Sequence, residues 1–148
     1  MKKIVSASLL FAVLGTAAAL ADAHSDREAV MRANGGAVRA LNGAVANFDA
    51  GVVKTQGQVL VDNAAKIKTL FAPGTDQNDP DALPAVWTDA AGFSAAADKF
   101  SADAAKVAMA TDGPSLQAAL AAVNGDCGGC HRTYRKPPAP RPAPPAAQ

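Results

Sequence analysis

Apolar residues recur at intervals of three and four along most of this chain, and no stretch of it alternates residue by residue. That spacing draws one face of an α-helix and argues against a half-buried sheet. Four segments carry it. In 25–48 the stripe is Val30, Asn34, Ala37, Leu41, Val45 and Phe48, with Ser25 or Asp26 as the expected cap. In 49–71, begun by Asp49, it is Val52, Val59, Leu60, Ile67, Leu70 and Phe71. In 85–111 it runs through Val86, Ala90, Phe93, Ala97, Phe100, Ala104 and Val107. The last segment follows "TDGPS", where Pro114 suits a first helical turn. It reaches about Lys136 and aligns Leu116, Leu120, Val123, Cys127, Cys130 or His131, and Tyr134. Short links join the first two segments and the last two, while "APGTDQNDPDALP" (72–84) is a loop rich in Pro, Asp and Gly. These features predict an all-α, antiparallel four-helix bundle.

Large side chains are scarce. The chain has only five phenylalanines, one tryptophan and one tyrosine, against many alanines. Alanine favours helix and fills little volume, so an apolar cofactor in the middle would supply missing bulk. Gly35, Gly36 and Gly43 interrupt the first segment. Each costs about 1 kcal/mol of helix propensity. Close approach of a helix or a flat ligand explains them, as does local weakness tolerated by packing.

The two ends stand apart from the bundle, expected over 22–136. Lys2 and Lys3 precede an apolar run, then small residues, with small-x-small positions before Asp22 and before His24. This is the pattern of a cleaved signal peptide over 1–21, which would place the mature chain in the periplasm with no membrane anchor. Loss of Lys2 and Lys3 leaves 12 basic side chains against 13 acidic ones, a net charge of −1. That argues against nucleic acid as a partner. The Pro- and Ala-rich end, 137–148, has no core residues and is expected to be a disordered tail.

Cys127 and Cys130 are the only cysteines, and His131 follows directly. Three chemistries use such a cluster. A thiol–disulfide oxidoreductase would use the C-x-x-C pair, but that motif normally opens a helix after a strand. A structural zinc site needs about four N or S ligands; with His24 the chain offers two Cys and two His, without zinc-finger spacing. A plain disulfide would leave His131 idle. C-x-x-C-H is also the attachment signature for haem. Two thiols three residues apart form thioethers to the two vinyl groups, and the following imidazole becomes an axial ligand. Cys127 and His131, four apart, share a helix face.

With export and helical bundle added, the chain resembles the class II c-type cytochromes, the cytochrome c′ and cytochrome c-556 family. "CGGCHRTYR" (127–135) is similar to the family's C-x-x-C-H-x-x-[YF]-R ending near the C-terminus. "DREAVMRANGGAV" (26–38) resembles its first helix, and "FAPGT" with "ALPAVWTDAAGF" (82–93) its middle loop and third-helix start. The resemblance covers nearly all of 22–136. It implies a four-helix bundle holding one covalent haem c near the C-terminal helix. It implies thioethers at Cys127 and Cys130 and proximal ligation by His131. It places Met31 on the distal side of the haem, and Arg27 and Arg135 near the propionates, where arginine offers a planar pair of donors. Met31 as an iron ligand implies six-coordinate low-spin haem and an electron carrier of the c-556 kind. Met31 as packing alone implies a five-coordinate cytochrome c′ that binds NO or CO, and Arg27 is a c′ feature. "VMRANG" is closer to the c-556 pattern. Either way the resemblance implies redox partner proteins, no enzyme activity, and a monomer or homodimer. Met109, Phe93 and Phe100 are expected in the core, Trp87 over the loop or haem edge, and His24 in solvent at the chain's start. Lys66 and Lys68 read as a solvated basic spot.

Overall fold

The computed structural model describes residues 14–75 and 79–138, with side chains from residue 23 onward. These residues form five helices and no strand: α1 (Leu14–Gly43), α2 (Ala50–Leu70), the single turn α3 (Ala85–Thr88), α4 (Ala90–Ala108) and α5 (Gly113–Tyr134). The four long helices make the expected bundle. α1 packs on α2, α2 on α4 and α4 on α5, whereas α1 and α5 meet at few points. No helix of the described residues is long and apolar enough to cross a membrane. Residues 1–13 and 139–148, which carry most of the expected signal segment and tail, lie outside the described residues.

Buried positions follow the helical period. On α1 they are Arg27, Val30, Asn34, Ala37 and Leu41, with Ala44 just past its end. Leu41, Leu60, Leu116, Val107 and Val123 are fully enclosed, and each contributes about 1.5–3 kcal/mol by leaving water. Between α1 and α2 the stripe includes a polar pair, since Asn63 Nδ2 donates to Asn34 Oδ1 at 2.9 Å in a buried position. Both groups are satisfied, so their burial carries no unpaired cost.

Helix ends are set locally. Asp49 caps α2, accepting from the backbone N–H of Gly51 and Val52. Asp112 caps α5 through a capping box with Ser115. Four boundaries differ from the expectation. α1 starts well before Ser25, because the alanines of 17–23 are strong helix formers; Ser25 and Asp26 lie within the helix rather than capping it. α1 ends at Gly43, and Val45 and Phe48 reach the core from the turn that follows. The third segment is broken at Asp89, with φ −116° and ψ 55°, where the carboxylate accepts from Gly92 N. α4 then stops at Ala108, which leaves Met109, expected in the core, 69% exposed.

The close helix contact falls on a different glycine from those singled out in the sequence. A Cβ on Gly57 would lie 2.7 Å from Ala108 Cα, whereas one on Gly43 meets nothing within 4 Å. Gly57→Leu is therefore expected to destabilise the bundle by about 1–3 kcal/mol through overpacking. Gly125→Ala, in an open stretch of α5, should instead raise stability by up to about 1 kcal/mol. Urea unfolding of the two variants checks both signs.

Candidate functional site

The open seam between α1 and α5 is a cavity of about 620 Å³. Protein interiors leave few voids larger than a water molecule, so a hole this large inside a small bundle is a ligand site. Its size lies within the usual range for small-molecule pockets, roughly 300–1,000 Å³. Val38, Ile67, Phe71, Val86, Phe93 and Phe100 make its walls largely apolar. Alanine-rich helices create the space by leaving little side chain to fill it.

α5 brings Cys127, Cys130 and His131 to one wall, and α1 brings Met31 to the same cavity. The two cysteines form no disulfide with each other, and both are partly buried. Burial, with the Asp126 carboxylate beside them, pushes both thiols above the usual cysteine range. Burial, together with the positive charge of Arg135, pushes His131 below its ordinary value and keeps the imidazole neutral, the form that ligates iron. The thiol-redox alternative needs the opposite, because a reactive C-x-x-C pair has a lowered thiol pKa.

The cavity's edge is formed by the middle loop, tied down on two sides. The Arg27 guanidinium, only 5% exposed, ties it to α1. Its Nε donates to Leu70 O at 2.8 Å, one terminal nitrogen donates to Thr75 O at 3.0 Å and Thr75 Oγ1 at 2.6 Å, and the other is paired with Asp79. Its carbon lies 4.5 Å from the Phe71 ring centroid and 5.7 Å from Trp87. Asp79 in turn accepts from the backbone N–H of Asp81 and Ala82 at 2.8 and 2.7 Å. Burial alone would raise the Asp79 carboxyl. These two backbone donors and Arg27 outweigh it, and the group is held below its ordinary value. On the other side the loop pairs with the end of α5. Ala82 forms an antiparallel bridge to Arg135, Leu83 N donates to Tyr134 O at 2.9 Å and Lys136 N to Asp81 O at 2.8 Å. Tyr134 Oη donates to Asp89 at 2.9 Å. The Tyr134 ring meets Phe93 edge-on at 5.3 Å.

A third group of charges lies behind the cysteines. Lys99 bridges Asp103 and Asp126, and Lys106 pairs with Asp103. Two carboxylates hold the Lys99 ammonium up to about 12, and the two lysines hold Asp103 well below the carboxylate range. Asp126 Oδ2 is buried without a hydrogen-bond partner.

The expected site residues thus gather at one cavity: Cys127, Cys130, His131, Met31, Arg27 and Arg135 all line it. Arg27 lies on its wall with its donors turned to loop acceptors. Trp87 anchors the loop, with Nε1 3.3 Å from Ala72 O. His24, expected free in solvent, is at the cavity's edge, with Nδ1 3.7 Å from Asp79. Lys68 of the basic spot is paired with Asp98 at 2.5 Å. The sequence reasoning missed Asp79, Asp89 and Asp126. Asp79 and Asp89 sit in loop and helix-start positions where aspartate is ordinary, and Asp126 is one polar residue inside α5, so nothing in the local pattern marked them. The residues present fit a flat, covalently attached haem: apolar walls, two facing thiols, and a neutral imidazole from the same helix. Gly35 also lines the cavity, where a Cβ would meet only the Arg39 side chain, at 3.5 Å.

Comparison with known proteins agrees. A family model described as cytochrome C′ matches residues 22–135. Cytochrome c′ of Rubrivivax gelatinosus is 42% identical over 106 residues, 68% of this chain and 81% of that protein. A cytochrome c-556 of Agrobacterium tumefaciens (strain II Chrys) is 34% identical over 114 residues, 74% of this chain and 93% of that one. Among solved structures, the nitric oxide complex of a cytochrome c prime variant from Alcaligenes xylosoxidans is 29% identical. It aligns with a TM-score of 0.72 over 80% of this chain and 97% of that one.

The Arg27–Asp79 pair makes a pH-dependent prediction. Arg27→Met strands a buried carboxylate and should cost about 3 kcal/mol or more at neutral pH. Because Asp79 is depressed in the folded state, the pair's stabilisation is complete above the unfolded value of 3.8. It is lost as pH falls through the lower folded value. The gap between wild type and variant, followed by thermal unfolding, should therefore narrow on acidification.

Proposed function

As this chain belongs to the cytochrome c′ family, whose cofactor is covalent haem c, we propose that it is a periplasmic single-electron carrier of the c-556 kind. The observation that supports this reading is the convergence of Cys127, Cys130, His131 and Met31 on one cavity from opposite helices. Haem supplies reversible one-electron chemistry at a potential tuned by axial ligands, burial and hydrogen bonding. In this reading Cys127 and Cys130 hold it through thioethers, His131 ligates the iron from α5, and the Met31 thioether ligates from α1. The apolar walls exclude water. Arg135, at the mouth beside the loop, pairs with a propionate. Arg27 acts on the same edge by holding the loop. The protein exchanges electrons with partner proteins and performs no catalysis of its own. Export uses a signal peptide over 1–21, cut before Asp22 or His24.

A second reading has one observation in its favour. The solved relative from Alcaligenes xylosoxidans carries nitric oxide, and a methionine can line the cavity as a packing thioether rather than a ligand. Met31 would then leave the distal side open to NO or CO.

Met31→Ala separates the two. Under the electron-carrier reading the low-spin spectrum turns high-spin. Apparent CO affinity rises by about tenfold or more, because the binding-competent open form becomes the whole population. A spectrum already high-spin, and unchanged by the substitution, supports the gas-binding reading. Replacing both Cys127 and Cys130 by alanine should leave no haem attached to the denatured chain; haem retained on that double variant would sink the attachment assignment. Mass spectrometry of the mature protein checks the cleavage position.

A further inference from the structure

We propose that His24, Glu28 and Asp81 form a binding site for a divalent transition-metal ion of the zinc class at the edge of the cavity, separate from the haem ligands. His24 and Glu28 are four residues apart on α1, so they face the same way. Asp81 reaches them from the middle loop. One ligand atom from each of the three lies within 4.8 Å of the other two. Zinc–ligand bonds of about 2.0–2.2 Å set ligand atoms roughly 3.4 Å apart around a tetrahedral ion. Small side-chain rotations close the remaining distance.

The imidazole is already aimed. Its Nε2 faces Glu28 Oε1 at 4.0 Å, and its Nδ1 faces Asp79 Oδ2 at 3.7 Å. A carboxylate behind the ring nitrogen that does not bind metal is the arrangement that fixes tautomer and orientation in metal-ligating histidines. Asp79 can serve as that carboxylate because it is itself fixed, 4% exposed and held by Arg27 and by the N–H groups of Asp81 and Ala82. The same aspartate therefore orients the histidine and positions the backbone of Asp81. Glu28 divides its oxygens. Oε2 accepts from Arg32 at 2.9 Å, while Oε1 is on the histidine side. The Arg32 guanidinium, with lesser help from His24 and Arg135 after the cost of burial, keeps the Glu28 carboxyl below its ordinary value, so it is ionised and ready to ligate.

The donor set selects the ion class. Two carboxylates alone suit magnesium or calcium, but an imidazole shifts preference to zinc, copper or nickel. Three protein ligands leave a fourth position for water. The ion would cross-link α1 to the middle loop beside the Arg27–Asp79 pair, adding a second clasp at the cavity's edge.

Isothermal titration of zinc into the mature holoprotein tests the site, with the haem spectrum recorded before and after. The expected result is one zinc bound, with the haem spectrum unchanged and the unfolding temperature raised. His24→Ala and Asp81→Asn should each weaken binding by about tenfold or more. Asp79→Asn, acting through the imidazole, should weaken it by roughly 10–100-fold. His24→Ala and Asp81→Asn are to retain a wild-type haem spectrum; Glu28→Gln, on an exposed position, serves as a further ligand variant whose folding is not at issue. No zinc uptake, or uptake that Asp81→Asn and Glu28→Gln leave intact, overturns the proposal. Zinc uptake that displaces or perturbs haem also overturns it, since the ion would then be at the haem ligands.

Discussion

One buried ion pair organises the edge of the cavity. A carboxylate as enclosed as Asp79 needs compensation for its lost water, and Arg27 with two backbone N–H groups supplies it. Satisfying Asp79 bends the loop so that Asp81, Ala82 and Leu83 run alongside the end of α5. That pairing sets where Tyr134 and Arg135 lie, and Tyr134 in turn packs on Phe93 and reaches Asp89. His131 is one turn back on the same helix. The position of the His131 imidazole thus traces, through short steps, to a charge pair between α1 and a loop fifty residues away in the chain.

The bundle was legible because helical periodicity is a whole-segment signal. The stripe from Val30 to Leu41 survives any local ambiguity about where a helix begins. The attachment wall was legible too, since Cys127, Cys130 and His131 are adjacent in the chain and their chemistry requires that adjacency. What the sequence hid were contacts made across distance. Nothing in "NDPDALP" says that Asp79 rather than Asp81 meets Arg27, or that Ala82 pairs with Arg135. Arg27 was identified from its position in a family pattern, and its buried hydrogen bonds emerge only from the fold. Close approach of a helix was likewise not legible from the glycines. Gly43 has open space around it, whereas Gly57, unremarked in its helix, takes the backbone of α4. Proximity to another helix is not written in a residue's own neighbours.

The electrostatics around the cavity divide the labour between its ends. Behind the cysteines, Lys99 and Lys106 offset Asp103 and Asp126, so the attachment wall is close to neutral despite two enclosed carboxylates. At the mouth, the cations Arg32, Arg135 and Lys136 face the acids Glu28, Asp79 and Asp81. Charge is thus kept to the edge and the apolar walls are left to enclose a flat ring. Raised thiol pKa values fit the same scheme, because the cysteines sit where water is scarce.

α1 and α5 barely touch, although they flank the same space. Each of the other long-helix neighbours is also a neighbour in the chain, so those contacts close small loops and form early at little entropic cost. The seam between the first and last helices closes the largest loop and has the fewest side chains to reward it. Its closure is left to the occupant of the cavity and to the few long-range bonds around it. The first and last helices are therefore held across the cavity mainly through α2, α4 and the middle loop rather than by packing on each other.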